Sequence, residues 1–255
     1  MKTIVVTNTK GGTGKTSTVL NLSTELGLLG LKVLLIDVDP QASLSKAILK
    51  DKLGKSRGIE QLLEFSAKYL DVNNYIKPTE INNVSIIPCH SELAETAVKL
   101  LMNASFFALK DVLRKINDFD YIILDTQPSK NILMLNALSA SNYALIPTNP
   151  GIYPLLDIQG LNETIKNTAL NSNPDLQLLG IVITMSTKGT IYRQLEQDLR
   201  ETFGDKVFTT VISRLVKNEE SAFIGKGVSL VNPNCKLSLQ YQDLTAEILH
   251  RLKNK

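Results

Sequence analysis

Residues that build metal centres and disulfide scaffolds are scarce in this chain. Cys89 and Cys235 lie far apart and neither has a C-x-x-C neighbour, which excludes a zinc or iron–sulfur pattern and a disulfide-stapled fold. Both read as unpaired core or surface thiols. His90 and His250 are equally isolated and suggest no metal site. No apolar run approaches the ~20 residues of a membrane-spanning helix, and the first apolar stretch is too short for a signal peptide. The expectation is a cytoplasmic protein. The formal charge of +3 is too small to name a partner; only a local cluster of Lys and Arg would argue for nucleic acid.

What is present is ordinary globular composition, 43% hydrophobic and 21% charged over 255 residues, enough for one well-buried core. One domain, residues 1–255, is the simplest organisation. Continuous apolar runs recur at Thr3–Thr7, Val33–Asp37, Val84–Pro88, Tyr121–Asp125, Tyr143–Pro147 and Leu178–Thr184. Runs without alternation suit strands buried on both faces of a parallel sheet. Helical spacing fills the intervals: Lys15–Gly30 with Gly30 as its C-terminal stop, Ser91–Met102 and Ser105–Ile116 opening on serine caps, Pro154–Thr168, Thr190–Phe203 and Leu237–Leu252. Strands alternating with helices predict an α/β fold, doubly wound, with a mostly parallel sheet and helices on both faces. The more polar stretch Asp51–Asn83 reads as an insertion.

The first strand runs directly into Lys10-Gly11-Gly12-Thr13-Gly14-Lys15-Thr16-Ser17 and then a helix. Strand, glycine loop, Lys-Thr, helix is the context that makes a P-loop credible. Glycines let successive backbone N–H groups curl round an anion, and the helix N-terminus adds its positive end. Lys15 is expected to reach the β- and γ-phosphates, Thr16 to ligate Mg²⁺, and Ser17 to bond the α-phosphate. Asp125 ends an apolar strand, the position from which such carboxylates orient Mg²⁺ through water. Asp37 and Asp39 end another, so three carboxylates are expected at the edge that carries the loop.

These residues resemble the ParA/Soj/MinD family of deviant Walker A ATPases. The likeness rests on K-G-G-x-G-K-[ST] with its extra lysine, Lys10; on Asp37-Val38-Asp39-Pro40-Gln41; and on Ile122-Ile123-Leu124-Asp125-Thr126-Gln127-Pro128-Ser129. It continues in Leu145-Ile146-Pro147-Thr148, Gly180–Met185, Phe203–Phe208 and Ile212–Gly225, and so spans nearly the whole chain. The ParA/Soj DNA-partition branch is the nearest in pattern, since Pro-Gln after Asp39 is its habit.

The resemblance implies a P-loop NTPase fold and a homodimer that sandwiches two ATP molecules, with Lys10 of each subunit reaching the other's phosphates. It implies ATP and Mg²⁺ as cofactors, Lys10, Lys15 and Asp39 as catalytic groups, Asp39 positioning the attacking water, and Met185, Ser213 and Arg214 beside adenine. It further implies non-specific DNA binding, with Lys188, Arg193, Lys217, Lys226, Lys236 and Arg251 as candidates, a nucleoid-associated location, and a ParB-like centromere-binding partner that stimulates hydrolysis. The alternative is an ATP-driven positioning protein for a non-DNA cargo, or a regulator read through its nucleotide state.

Ser213 stands where the family has proline, and Gln127 replaces the first proline after the Walker B threonine. The chain stops at Lys255 directly after its last helix, so a membrane-cycling tail is not expected. A helix-turn-helix segment ahead of Met1 is not expected, and no cysteine directly follows Asp125-Thr126-Gln127 to hold a bridging cluster.

Overall fold

The computed structural model describes residues 1–64, 70–149, 154–187, 189–215, 221 and 223–253. Its centre is an eight-stranded sheet: β1 (Lys2–Val6), β2 (Val33–Val38), β3 (Lys77–Pro78), β4 (Val84–Ile87), β5 (Tyr121–Thr126), β6 (Tyr143–Thr148), β7 (Gln177–Ser186) and β8 (Val207–Ser213). The spatial order is β3-β4-β2-β5-β1-β6-β7-β8. All neighbours are parallel except the short edge strand β3, which runs antiparallel to β4. The chain moves outward from β1 to β2 and later crosses back over β1 to reach β6. That reversal opens a crevice at the carboxyl ends of the central strands, where ligands bind in such sheets.

The apolar runs are continuous because each strand feeds two cores. Val5, Leu34, Ile36, Ile122 and Leu124 pack on one face, and Ile4, Val6, Val33, Leu35 and Ile123 on the other. The period-2 alternation of side chains is therefore hidden by burial on both sides. The second core is covered by α1 (Lys15–Leu28), α2 (Ser43–Leu49), a short α9 (Val228–Val231) and α10 (Lys236–Lys253). The first is covered by α3 (Ile59–Glu64), α4 (Leu93–Met102), α5 (Ala108–Leu113), α6 (Ile132–Ser139), α7 (Pro154–Asn171) and α8 (Thr190–Phe203).

Helix α1 ends as its glycine predicts. Gly30 takes φ +82°, its N–H donates to the Gly27 carbonyl, and the Leu31 N–H donates to the Leu26 carbonyl, the paired bonds of a Schellman stop. The serine caps expected for α4 and α5 do not form. The N-cap positions are Glu92 and Phe107, without side-chain caps, and the Ser91 hydroxyl turns to the Glu92 carboxylate. The stretch 51–83 packs into the first core through Ile59, Leu62 and Leu63 of α3 and through Val72 and Tyr75. Its polar surface masks two or three apolar anchors per short element. Strands β3 and β8 and helices α2, α3, α6 and α9 were not anticipated: the helices and β3 carry too few periods to register, and two threonines break the apolar run of β8.

Gly27 shows how closely α1 approaches the sheet. A β-carbon there would sit 2.4 Å from the Asn82 carbonyl oxygen and 2.9 Å from a Val84 methyl, while Asn83 donates to the Gly27 carbonyl from the same loop. Gly27→Ala must push the helix off this loop, and overpacking of this kind costs about 1–3 kcal/mol. A denaturant titration should show that loss; an unchanged midpoint would contradict the contact.

Candidate functional site

The loop between β1 and α1 lies in the crevice, held at both ends by side chains. Asn8 donates from Nδ2 to the Pro147 carbonyl (2.8 Å) and accepts the Lys10 N–H at Oδ1 (3.0 Å). The Thr184 hydroxyl lies 2.9 Å from the Thr13 carbonyl and 3.1 Å from that of Thr148, tying the loop to β6 and β7. Gly12 and Gly14 adopt φ +68° and +78°, which a side-chain-bearing residue rarely does. An added β-carbon on Gly11 or Gly12 would meet nothing within 4 Å. The loop thus turns its glycine surface to open space, and Lys15 starts α1 directly behind it.

Lys15 is buried, and its Nζ donates to the Lys10 carbonyl (2.9 Å). Burial lowers its pKa from the ordinary lysine value, opposed by the charges of Asp125 and Asp39. The Thr16 hydroxyl donates to Asp125 Oδ2 (2.7 Å). Asp125 Oδ1 is buried and has no hydrogen-bond partner among the described residues. Burial first, and then the charge of Asp37, push the Asp125 carboxyl well above the usual carboxylate range; the Thr16 bond and Lys15 pull it back. A buried carboxylate oxygen without a donor, beside a threonine hydroxyl, fits a hard divalent cation. Among the described residues no cluster of three or more His, Cys, Asp or Glu forms a self-sufficient metal site. A cation here would rely on Thr16, Asp125, water and ligand phosphates.

The other two aspartates differ from each other. Asp37 stands in register with Asp125 on the adjacent strand and is fully used by the protein. Its Oδ2 accepts from the Ser45 hydroxyl (2.6 Å) and N–H (2.9 Å), and its Oδ1 from the Asp39 N–H (3.2 Å). Burial nevertheless raises it to about 6. Asp39 opens the next turn, where its Oδ1 accepts the Gln41 N–H (2.9 Å). Lys10 reaches sideways from the loop to Asp157 on α7, 2.6 Å away, with both side chains about one-third exposed.

On the far side of the loop, Met185 takes a left-handed φ of +53° and approaches Gly14. Ser186 pairs with Ser213 across β7 and β8, and the Arg214 N–H donates to the Ser186 carbonyl. The structure therefore brings Met185, Ser213 and Arg214 together beside the loop. Gln240 of α10 accepts the Ser213 N–H and donates to its hydroxyl, both at 3.0 Å. The N–H that a proline would lack is thereby satisfied.

The candidate basic residues among the described residues are not gathered on one face. Arg193 and Lys236 are exposed at the N-terminal ends of α8 and α10. Lys226 pairs with Glu80 (3.0 Å), near the β3–β4 edge and remote from α8. Arg251 lies 3.9 Å over the Phe208 ring and donates to the carbonyls of Leu179, Lys206 and Val207 and to Glu247. Its guanidinium is occupied inside the fold. Lys188 and Lys217 fall outside the described residues.

Asn8, Ser45, Asp157, Thr184 and Gln240 were missed by sequence reasoning. Asn8, two residues before Lys10, carried a readable Asx-turn signal; Ser45 reaches Asp37 across eight positions, and the others act across 27 or more and leave no local trace.

A glycine loop opening a helix at the reversal point of a parallel sheet, with a buried lysine, a threonine and a strand-end aspartate converging on it, defines a P-loop nucleoside triphosphatase fold. The family model described as an AAA domain matches residues 1–178. The chain is 34% identical over 253 residues to the chromosome-partitioning ATPase Soj of Treponema pallidum, covering 98% of each. It is 33% identical to the sporulation initiation inhibitor protein Soj of Bacillus subtilis, covering 97% of this chain and 98% of that one. The crystal structure of cobyrinic acid a,c-diamide synthase from Mycobacterium smegmatis, with bound ATP analog and magnesium, superposes with a TM-score of 0.83 at 26% identity, covering 99% and 96%. The chain belongs to the ParA/Soj/MinD family of deviant Walker A ATPases.

Because burial raises Asp125, the folded state favours its neutral form, and ionisation above the unfolded carboxylate pKa opposes folding. Asp125→Asn in the ligand-free protein should therefore melt higher than wild type near pH 8. The gap should narrow as pH falls through about 4 and close below about 3, where the wild-type carboxyl is protonated in both states. Melts that differ equally at every pH would refute this.

Proposed function

We propose that the chain is an ATP-dependent partition ATPase acting on plasmid or chromosomal DNA. The carrying observation is Lys10, which stands at the rim of the Lys15–Thr16–Asp125 site rather than inside it. Lys15 and the loop N–H groups bind the β- and γ-phosphates of ATP, Thr16 and Asp125 hold Mg²⁺, Ser17 bonds the α-phosphate, and Met185, Ser213 and Arg214 flank adenine. Bound Mg²⁺ supplies neutralisation of phosphate charge. Asp39, with one oxygen fixed by the Gln41 N–H, orients the attacking water through the other.

A homodimer forms face to face over two ATP molecules, and Lys10 exchanges Asp157 for the partner's phosphates. A cation added there stabilises charge on the transferring group and makes the dimer depend on the γ-phosphate. Hydrolysis, slow alone, is stimulated by a ParB-like centromere-binding protein, and the complex resides on the nucleoid. The name of the Treponema pallidum relative supports this reading, as do the ATP analog and magnesium in the structural neighbour. Among the described residues no helix is long and apolar enough to cross a membrane.

Asp39→Ala is expected to bind ATP normally and accumulate as an ATP dimer in size-exclusion chromatography with light scattering, while Lys10→Ala stays monomeric at the same ATP concentration. A dimer of unchanged stability in Lys10→Ala would sink the shared-site reading.

Arg193 and Lys236, the exposed candidates at the starts of α8 and α10, are proposed as separate phosphate contacts, each doubled by dimerisation. If Arg193 neutralises one phosphate per protomer, Arg193→Ala should flatten the slope of log affinity against log salt by about 1.8. Gel shifts with ATP and rising salt measure it; DNA binding indifferent to nucleotide or salt favours a cargo other than DNA.

A further inference from the structure

Asp39 is proposed to orient water, yet it sits in a turn rather than in the sheet, and a turn residue wanders unless something pins its backbone. Four bonds pin it. Its N–H donates to Asp37 Oδ1 (3.2 Å). Its carbonyl accepts the Ala42 N–H (2.7 Å) and the Cys89 thiol (2.9 Å), and its own Oδ1 accepts from Gln41. Cys89, just beyond the end of β4, is buried and bound in turn: its N–H donates to the Ser45 hydroxyl (3.0 Å), which donates to Asp37. Asp37, Ser45 and Cys89 thus close a ring of hydrogen bonds around the Asp39 peptide units, drawn from β2, α2 and the end of β4.

We infer that Cys89 is a positioning residue for Asp39, its thiol fixing the Asp39 carbonyl so that the carboxylate holds its aim at the attacking water, with Ser45 orienting Cys89 from behind. The inference rests on the reading that Asp39 positions that water. The thiol suits the task because it remains a donor. Burial, with the charges of Asp37 and Glu60, pushes its pKa far up, so it is S–H at every physiological pH and no nucleophile. A merely packed cysteine would not need its proton aimed at a carbonyl 50 residues away. The adjoining Ala42 at φ +54° shows that the turn carries a backbone conformation that needs external support.

The test compares Cys89→Ala, Cys89→Val and Cys89→Ser with wild type and Asp39→Ala. Single-turnover phosphate release is measured from protein loaded with radiolabelled ATP and Mg²⁺, and nucleotide affinity from a fluorescent ATP analogue. Valine fills the site without a donor, so the comparison survives if alanine fails to fold. Cys89→Val should slow release about three- to tenfold, the loss of one hydrogen bond felt in the transition state, with affinity unchanged, and Cys89→Ser should restore most of the rate. Release from Cys89→Val at the wild-type rate overturns the inference. So does equal slowing in valine and serine variants, which would mark a packing role, or a fall in affinity that accounts for the slowing. If Asp39→Ala itself releases phosphate normally, the water-positioning reading falls and takes this one with it; if only the cysteine variants behave as wild type, the inference alone falls.

Discussion

The site is governed by the placement of buried carboxylates beside one buried ammonium. Asp37 and Asp125 are neighbours on adjacent strands, Asp39 follows at the strand end, and Lys15 is the buried lysine facing them. Like charges at strand spacing in a region of low polarity cannot all stay ionised without compensation. The protein compensates Asp37 itself, with three donors. It leaves Asp125 undercompensated, with one oxygen on Thr16 and the other on nothing. That asymmetry separates an aspartate used up by the fold from one with an oxygen left over for a cation, although both end apolar strands.

The asymmetry also sets what the sequence could reveal. The loop, the strand-end aspartates and the parallel sheet were legible because each depends on residues within a few positions: glycines for left-handed backbone, a threonine after lysine, apolar runs for strands buried twice. Asp37 and Asp39 looked alike in Asp37-Val38-Asp39, and only the fold shows that Ser45 takes one of them. The extra lysine was legible as a departure from the general pattern, whereas Asp157, its partner here, lies 147 residues away in an unremarkable helix. Short elements such as α3 failed for the opposite reason, since two turns of helix carry too little periodicity.

Departures from the family pattern are absorbed by neighbours. Ser213 in place of proline introduces an N–H and a hydroxyl at the end of β8, and Gln240 meets both with the two ends of one amide. At this half-buried strand end the substitution and its partner form a unit. Gln127 lines a largely apolar cleft of about 530 Å³ with Pro40, Leu101, Phe106 and Ile132. The loops after β2 and β5 thus share a wall beside the phosphate site.

The ion pair of Lys10 with Asp157 explains how a rim lysine could serve a second subunit. A partly exposed pair is worth about 0–1 kcal/mol, too little to hold the lysine against a polyphosphate. In the proposed dimer the triphosphate of the facing subunit would offer several negative oxygens in a region from which water is excluded, where each charge counts for more. The pair is therefore strong enough to order the Lys10 side chain and weak enough to give way. A buried, fully compensated pair at the same place would have kept Lys10 at home. The contrast between Lys10 and Lys15 then has a physical basis: the buried lysine belongs to its own loop through the Lys10 carbonyl, while the half-exposed one remains transferable.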